Sequence, residues 1–445
     1  MLANLRKPVA ERLDQHGITR LHVAIVAVCA LGFSFDLLEI ALGSVLSAVF
    51  SAPQQRLESG ALAVLLASVY VGAVFGAPSL GWVGDRYGRK LALAVMLLWL
   101  APLSVAMAWV RSPVALVALR LLSGLSLGAY PAVMMTYLTD ILPARRRGLF
   151  IFIPTALASL GPPLGLLLVR ALTESAPLGL EGWRWGFLLG GAGAACGGLL
   201  FLTLPESPRW LATVGRLEQA WTAWNRFERS VVVMPAAGSP TTATSWESRV
   251  AEAPLPWLPR YVVLMGAIFL LSACGTSGFT LFSGAVMVQK GIPVSDTVLY
   301  LGIATTGQFL GTLLTGVMAD RLERRIALTS CAVAMAVVVL GFVLSSTVPA
   351  LLTAGVAYSM LMAVFLPALF IYATELFPTS RRSSATAFAW TANRVSSALI
   401  PFVLLPLLRQ SGALAMAVVI AVTLLLAAGL IFGCCPSRPA GQPVS

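Results

Sequence analysis

Gly81-Trp82-Val83-Gly84-Asp85-Arg86-Tyr87-Gly88-Arg89-Lys90 is a tight charged turn set between two long apolar runs. It returns 235 residues later, from Gly81 to Gly316, as Gly316-Val317-Met318-Ala319-Asp320-Arg321-Leu322-Glu323-Arg324-Arg325. A second pair keeps the same offset. Thr139-Asp140-Ile141-Leu142-Pro143-Ala144-Arg145-Arg146 comes back as Thr374-Glu375-Leu376-Phe377-Pro378, closing on Arg381-Arg382, with Thr, acid and Pro all displaced equally. Two independent motifs sharing one offset predict a chain of two similar parts, the internal symmetry of many membrane carriers.

Composition sets the class. Of 445 residues 58% are hydrophobic and only 11% charged, with mean hydropathy +0.87, a balance that soluble chains rarely show. About 20 apolar residues cross roughly 30 Å of hydrocarbon as a helix. Twelve runs of this kind follow one another, the first near 21–49 and the last near 411–433. The expected fold is all-α and integral to the membrane: a six-helix bundle over 1–204, a linker over 205–259 and a second six-helix bundle over 260–445.

The net charge of +12 reflects topology rather than a nucleic-acid partner. Taking the N-terminus as inside, 22 of the 30 basic residues fall on the inner loops and tails. The outer loops hold six, Arg56, Arg111, Arg170, Arg184, Lys290 and Arg409. This asymmetry predicts a multi-pass protein of the cell (inner) membrane with both termini in the cytoplasm. The six cysteines lie within spans or, as Cys434 and Cys435, at the end of the last one, so no disulfide framework is expected. His16 and His22 are the only histidines, too few for a metal site or a histidine relay. No cofactor is expected, and no constellation of nucleophile, base or phosphate loop suggests an enzyme.

The sharpest anomaly is a pair of acids in the first span, Asp36 and Glu39. Three residues apart, they project toward one side of a helix. Ionisable groups in hydrocarbon are costly and mark function by default, the competing reading being a structural ion pair. Arg120 in the fourth span is the expected partner. At 1.5 Å per residue Asp36 lies about 21 Å from one face and Arg120 about 10 Å from the other, nearly one level in a core of about 30 Å. Gly124 and Gly128 follow at helical spacing and would allow close packing, while Gly161-Pro162-Pro163-Leu164-Gly165 should distort the fifth span. The second part offers Ser272, Thr276, Ser277 and Thr280, then Gln308, then Trp390, Asn393 and Arg394, but no acid where Asp36 maps. Scaffold motifs repeat, whereas the buried charges do not.

These features resemble the major facilitator superfamily over nearly the whole chain. Gly81 to Lys90 is similar to its signature between spans two and three, and Arg120 with Gly124 and Gly128 to its span-four signature. Pro205-Glu206-Ser207-Pro208-Arg209-Trp210 and Glu375 to Arg382 resemble the sugar-porter-related branch. Asp36 with Glu39, and Asn393-Arg394 before Pro401, are similar to its metabolite and aromatic-acid proton symporters. Two departures stand out: Phe35-Asp36-Leu37-Leu38-Glu39 replaces an Asp-Gly-Phe-Asp run, and Glu323 stands where a Gly is usual.

The resemblance implies proton-coupled symport of a small organic anion by alternating access, with a small-molecule substrate, protons and the lipid bilayer as partners and a monomer as the unit. Asp36, Glu39 and Arg120 are expected to form the proton-coupling group, the two acids carrying the proton and Arg120 lowering their pKa. Arg394, a planar fork suited to carboxylates, is expected to bind substrate with Asn393, Gln308, Tyr130 and Trp390. Gly81, Asp85, Arg86, Gly88 and Arg89 with Arg145 are expected to form a gating latch, repeated by Asp320 and Arg321 with Glu375 and Arg381. Proton-driven efflux of a drug-like molecule or siderophore is the first alternative, and a non-transporting membrane sensor the second.

Overall fold

A computed structural model describes residues 12–143, 147–175, 177–234, 258–318, 323–377 and 382–435. Its helices run α1 (Arg20–Val49), α2 (Ser59–Tyr87), α3 (Arg89–Trp109), α4 (Pro113–Ile141), α5 (Arg147–Ala158), α6 (Gly161–Ser175) and α7 (Gly182–Thr203). After α8 (Pro208–Thr213) and α9 (Leu217–Glu228) come α10 (Leu258–Ala273), α11 (Thr280–Gln289), α12 (Val294–Met318), α13 (Arg324–Leu344), α14 (Val348–Leu376), α15 (Arg382–Gln410) and α16 (Gly412–Cys434). Among the described residues, twelve helical stretches are long and apolar enough to cross a membrane. The fifth of these joins α5 to α6, and the seventh joins α10 to α11 through a π-helical turn at Cys274–Phe279. The fifth breaks at Ser159 and Leu160, just before Gly161-Pro162-Pro163, since proline lacks the N–H that would continue the ladder.

The repeat reaches into the packing. On α2, a Cβ at Gly72 would stand 2.1 Å from Leu121 O, and one at Gly76 would stand 1.9 Å from Leu125 O. On α12, a Cβ at Gly307 would stand 2.1 Å from Val356 O, and one at Gly311 would stand 2.2 Å from Met360 O. All four positions of the second set are displaced by the 235 residues that separate the loop motifs. Glycine lets the backbones touch where lipid offers no hydrophobic drive to hold helices together.

Odd-numbered connections lie on one face and the chain termini on the other, here the far face and the terminal face. Across the far face the first six spans meet the last six. Arg170 pairs with Asp296 at 3.3 Å and Arg409 Nη1 donates to Leu57 O at 2.8 Å. Gly284 packs on Ser44 O and Gly302 on Leu166 and Leu167. A cavity of about 310 Å³ lies beside this seam, lined among others by Val45, Val49, Gln55, Glu181, Trp183 and Val298.

At the terminal face, the segment after α7 is more structured than its polar composition predicts. Ser207 accepts from Trp210 N at 3.0 Å to start α8, and α9 buries Ala220, Ala223, Trp224 and Phe227. Strand β1 (Ile18–Thr19) pairs antiparallel with β2 (Val232–Met234), tying the start of the chain to this segment. His22 is structural, its ring bonded to Thr19 N at 3.1 Å and Ile141 O at 3.2 Å. The Glu206 carboxylate accepts from Lys90 N and Ser207 N at the start of α3 and α8. Burial pushes that carboxyl up from its ordinary range against the pull of these amides.

Candidate functional site

Glu39 and Arg120 form a closed pair inside the first six spans. Arg120 Nη1 lies 3.2 Å from Glu39 Oε1 and donates to Glu39 O at 3.1 Å, while Ser104 Oγ donates to Oε2 at 3.1 Å. Both side chains are 1% exposed, and the guanidinium lies 6.0 Å from the Phe187 ring. Low dielectric makes such a pair strong only when its remaining groups are bonded, a condition that Ser104 and the Glu39 carbonyl meet for all but the Arg120 Nε, which is buried without a partner.

Asp36 does not join it, contrary to the expectation that Arg120 serves both acids. Its Oδ2 is buried without a hydrogen-bond partner, and the arginine whose charge it feels is Arg394, on α15. Each residue turns a helix by about 100°, so positions three apart point about 60° apart. That angle is enough for Glu39 to face α3, α4 and α7 while Asp36 faces the last six spans. Equal depth therefore does not make Asp36 and Arg120 partners.

Arg394 is correspondingly open. It makes no hydrogen bond or ion pair with any described residue, its Nε, like that of Arg120, is buried without a partner, and its guanidinium lies 4.9 Å from the Trp390 ring. Trp390 is held edge-on by Phe269 at 6.3 Å and Phe370 at 6.2 Å. Asn393 points elsewhere, its Nδ2 donating to Phe269 O at 3.1 Å and fastening α15 to α10. The Tyr130 hydroxyl donates to Cys29 O at 3.2 Å behind Asp36, its ring stacked on Phe33, fully buried. Gln308 is half-buried on α12.

Three residues that the sequence reading did not bring together complete the centre. Tyr70 on α2 is 7% exposed, and the charges of Arg394 and Arg120 bear on its phenol. Ser277 sits in the π turn and lies 2.8 Å from Ser397 Oγ on α15. π turns often mark functional sites because they re-aim side chains. Tyr358 OH supports this one by donating to Gly275 O at 2.7 Å. An unbroken apolar run gives no signal for a π turn, but the cluster Gly275-Thr276-Ser277-Gly278 within it is the kind of interruption that could have pointed there.

The terminal-face motif is organised by Arg89, not Arg86. Arg89 pairs with Asp85 at 2.8 Å and with Asp140 at 3.3 Å, and donates to Gly84 O at 2.7 Å. Arg86 instead lies 5.8 Å from the Trp82 ring. Gly88, at φ 124°, makes the turn that brings Arg89 back over Asp85, and Gly81 faces open space on α2. Arg145, Asp320, Arg321 and Arg381 lie outside the described residues, as does the side chain of Glu375.

Comparison with known proteins agrees with this architecture. The family model described as "Sugar (and other) transporter" matches residues 22–438. The chain is 26% identical over 398 residues to the putative metabolite transport protein YyaJ of Bacillus subtilis, covering 87% of this chain and 86% of that one. It is 25% identical to the niacin transporter NiaP of Acinetobacter baylyi, covering 89% of each. Among solved structures, the inward open conformation of the xylose transporter XylE from E. coli superposes with TM-score 0.74 at 18% identity, over 95% of this chain and 98% of that one. The chain belongs to the sugar (and other) transporter family, and is a multi-pass membrane transporter of the major facilitator superfamily, not an enzyme.

Proposed function

We propose that the chain is a proton-coupled carrier of a small organic anion, most simply a carboxylate, working by alternating access between units 1–204 and 260–445 joined by the linker 205–259. The observation that carries this reading is the unequal state of the two deep arginines: Arg120 is ion-paired with Glu39 through Nη1, whereas Arg394 makes no hydrogen bond or ion pair with any described residue, and the acid whose charge bears on it, Asp36, has a buried Oδ2 without a hydrogen-bond partner. A carboxylate would satisfy the Arg394 fork through paired charge-assisted bonds. It would compete with ionised Asp36 for that fork, so protonating Asp36 favours binding, and the two ligands help each other by linkage. A neutral sugar would leave the arginine's charge uncompensated. Similarity to a niacin transporter supports the reading, niacin being a pyridine carboxylate.

The terminal face is the cytoplasmic one in this proposal, following the basic residues concentrated there, and the far-face seam is then the closed outer gate. Alkaline phosphatase fused after residue 230 should be inactive. An active fusion reverses the orientation.

Uptake into proteoliposomes with an acid exterior tests the chemistry, using nicotinate, benzoate, succinate and D-xylose. Accumulation of a carboxylate that a protonophore abolishes is expected. Accumulation of D-xylose with no carboxylate overturns the anion reading, and gradient-driven loss of preloaded compound moves efflux ahead.

A further inference from the structure

The second copy of the charged turn leaves a cation open where the first copy closes one. Lys90 ends the first copy and Arg325 the second, at the common 235-residue offset. Each stands at the start of the third span of its set and reaches the end of the sixth. Lys90 Nζ donates to Leu202 O in the last turn of α7 at 3.2 Å. Arg325 lies instead with its guanidinium 4.5 Å from the Phe432 ring in the last turn of α16, its Nε buried without a partner. No described residue gives that guanidinium a hydrogen bond or an ion pair, although Glu323 stands two positions before it.

The surface beside it is the lipid-facing one. Helix α13 packs along α16 and is among the least buried of the twelve spans. Ile326, Val333 and Val337 on α13 and Val422, Leu425 and Phe432 on α16 are exposed, at spacings that set each trio along one helix face. A Cβ at Gly429 or Gly433 would meet nothing within 4 Å. The turn of α16 that carries Phe432 is therefore bare on both sides of the ring.

We infer that Arg325, held on Phe432, anchors the headgroup phosphate of an anionic phospholipid whose chains lie along the exposed faces of α13 and α16. A guanidinium presents its donors as a fork that matches phosphate, and a phenyl ring offers those donors no oxygen. Basic pockets between spans bind anionic headgroups at the cytoplasmic side, which is the terminal face in the orientation proposed above. An ethanolamine headgroup would set its ammonium beside the guanidinium, whereas a glycerol headgroup brings only hydroxyls. Phosphatidylglycerol fits better for that reason. The site is independent of what the carrier transports.

Native mass spectrometry of the full-length protein tests this, after delipidation in detergent and exposure to equal amounts of phosphatidylglycerol and phosphatidylethanolamine. Wild type should retain phosphatidylglycerol in preference. Arg325→Gln should lower that retention roughly tenfold, the scale of a charge-assisted hydrogen bond, and leave phosphatidylethanolamine as it was. Phe432→Leu should lower it roughly threefold, as loss of an exposed cation–aromatic contact does. Lys90→Gln, at the closed mirror position, should retain lipid like wild type. Equal losses from Lys90→Gln and Arg325→Gln would show attraction to surface charge in general and overturn the site, as would wild-type retention in Arg325→Gln. Glycerol phosphate in the same buffer should not displace the lipid; complete displacement would make this a site for soluble phosphate esters and overturn the lipid assignment. Should Arg325→Gln not fold, Phe432→Leu decides alone: weaker retention is expected, and unchanged retention overturns the proposal.

Discussion

Arg120 and Arg394 are both carried deep into spans, one among the first six and one among the last, yet their surroundings differ in kind. Arg120 has an acid, a carbonyl and an aromatic face within its own set of spans. Arg394 has a tryptophan face, no hydrogen bond or ion pair with any described residue, and an acid of α1, Asp36, whose charge bears on it. A buried charge paired with an acid cannot lose that acid without leaving a charge stranded in low dielectric. One left partly unanswered costs stability and is retained where function needs it. The contrast separates residue types that sequence alone treats as equals.

Breaking the closed pair should have the largest effect. Arg120→Leu leaves the Glu39 carboxylate buried alone and should lower stability by about 3–5 kcal/mol, read as a fall in unfolding temperature in detergent. The double change Glu39→Leu with Arg120→Met should recover most of it. An Arg120→Leu protein that unfolds like wild type would remove the distinction between the two arginines.

The open pair should instead fail in function while folding normally. Arg394→Lys keeps the charge but loses the fork, and should weaken carboxylate binding by about 1–3 kcal/mol. Asp36→Asn keeps volume and hydrogen bonding but cannot cycle a proton. It should still bind and exchange substrate while losing pH-driven accumulation, measured in the same vesicles with and without the gradient. Undiminished pH dependence in Asp36→Asn would take proton coupling away from Asp36. Glu39→Gln sharpens the comparison, since its loss should appear in stability before it appears in coupling.

The smallest effect is expected at the terminal face, where Arg89 and its acids are partly solvated and each pair is worth at most about 1 kcal/mol. Arg89→Gln should shift accessibility of a cysteine placed beside Arg394 toward one face, with substrate affinity unchanged. Arg86→Gln should leave labelling as it is in wild type. Equal shifts from both would return Arg86 to the latch.

Much of the fold was legible because its signals are local or periodic. Apolar runs announce the spans, the 235-residue offset announces the repeat, and Gly161-Pro162-Pro163 announces the break before α6. The docked segment 205–234 and the π turn were not legible. The first depends on a helix face meeting a surface built by other elements, and the second on hydrogen-bond register inside an otherwise uniform apolar run. Within the site, Asp36, Glu39, Arg120 and Arg394 stand out as charges in hydrocarbon. Tyr70 and Ser397 do not, because a tyrosine or serine in a span is ordinary until its neighbours are known.

By itself the sequence determined the class of protein, the number of spans, the pairing of motifs across the repeat and the position of each buried charge along its span, since rise per residue is constant along a helix. Only the tertiary structure decided which acid answers which arginine. Depth says nothing of rotation: Glu39 meets Arg120, 81 residues away, and Asp36 turns to α15, because helix packing sets the azimuth of α1 and sends two acids one turn apart toward different neighbours.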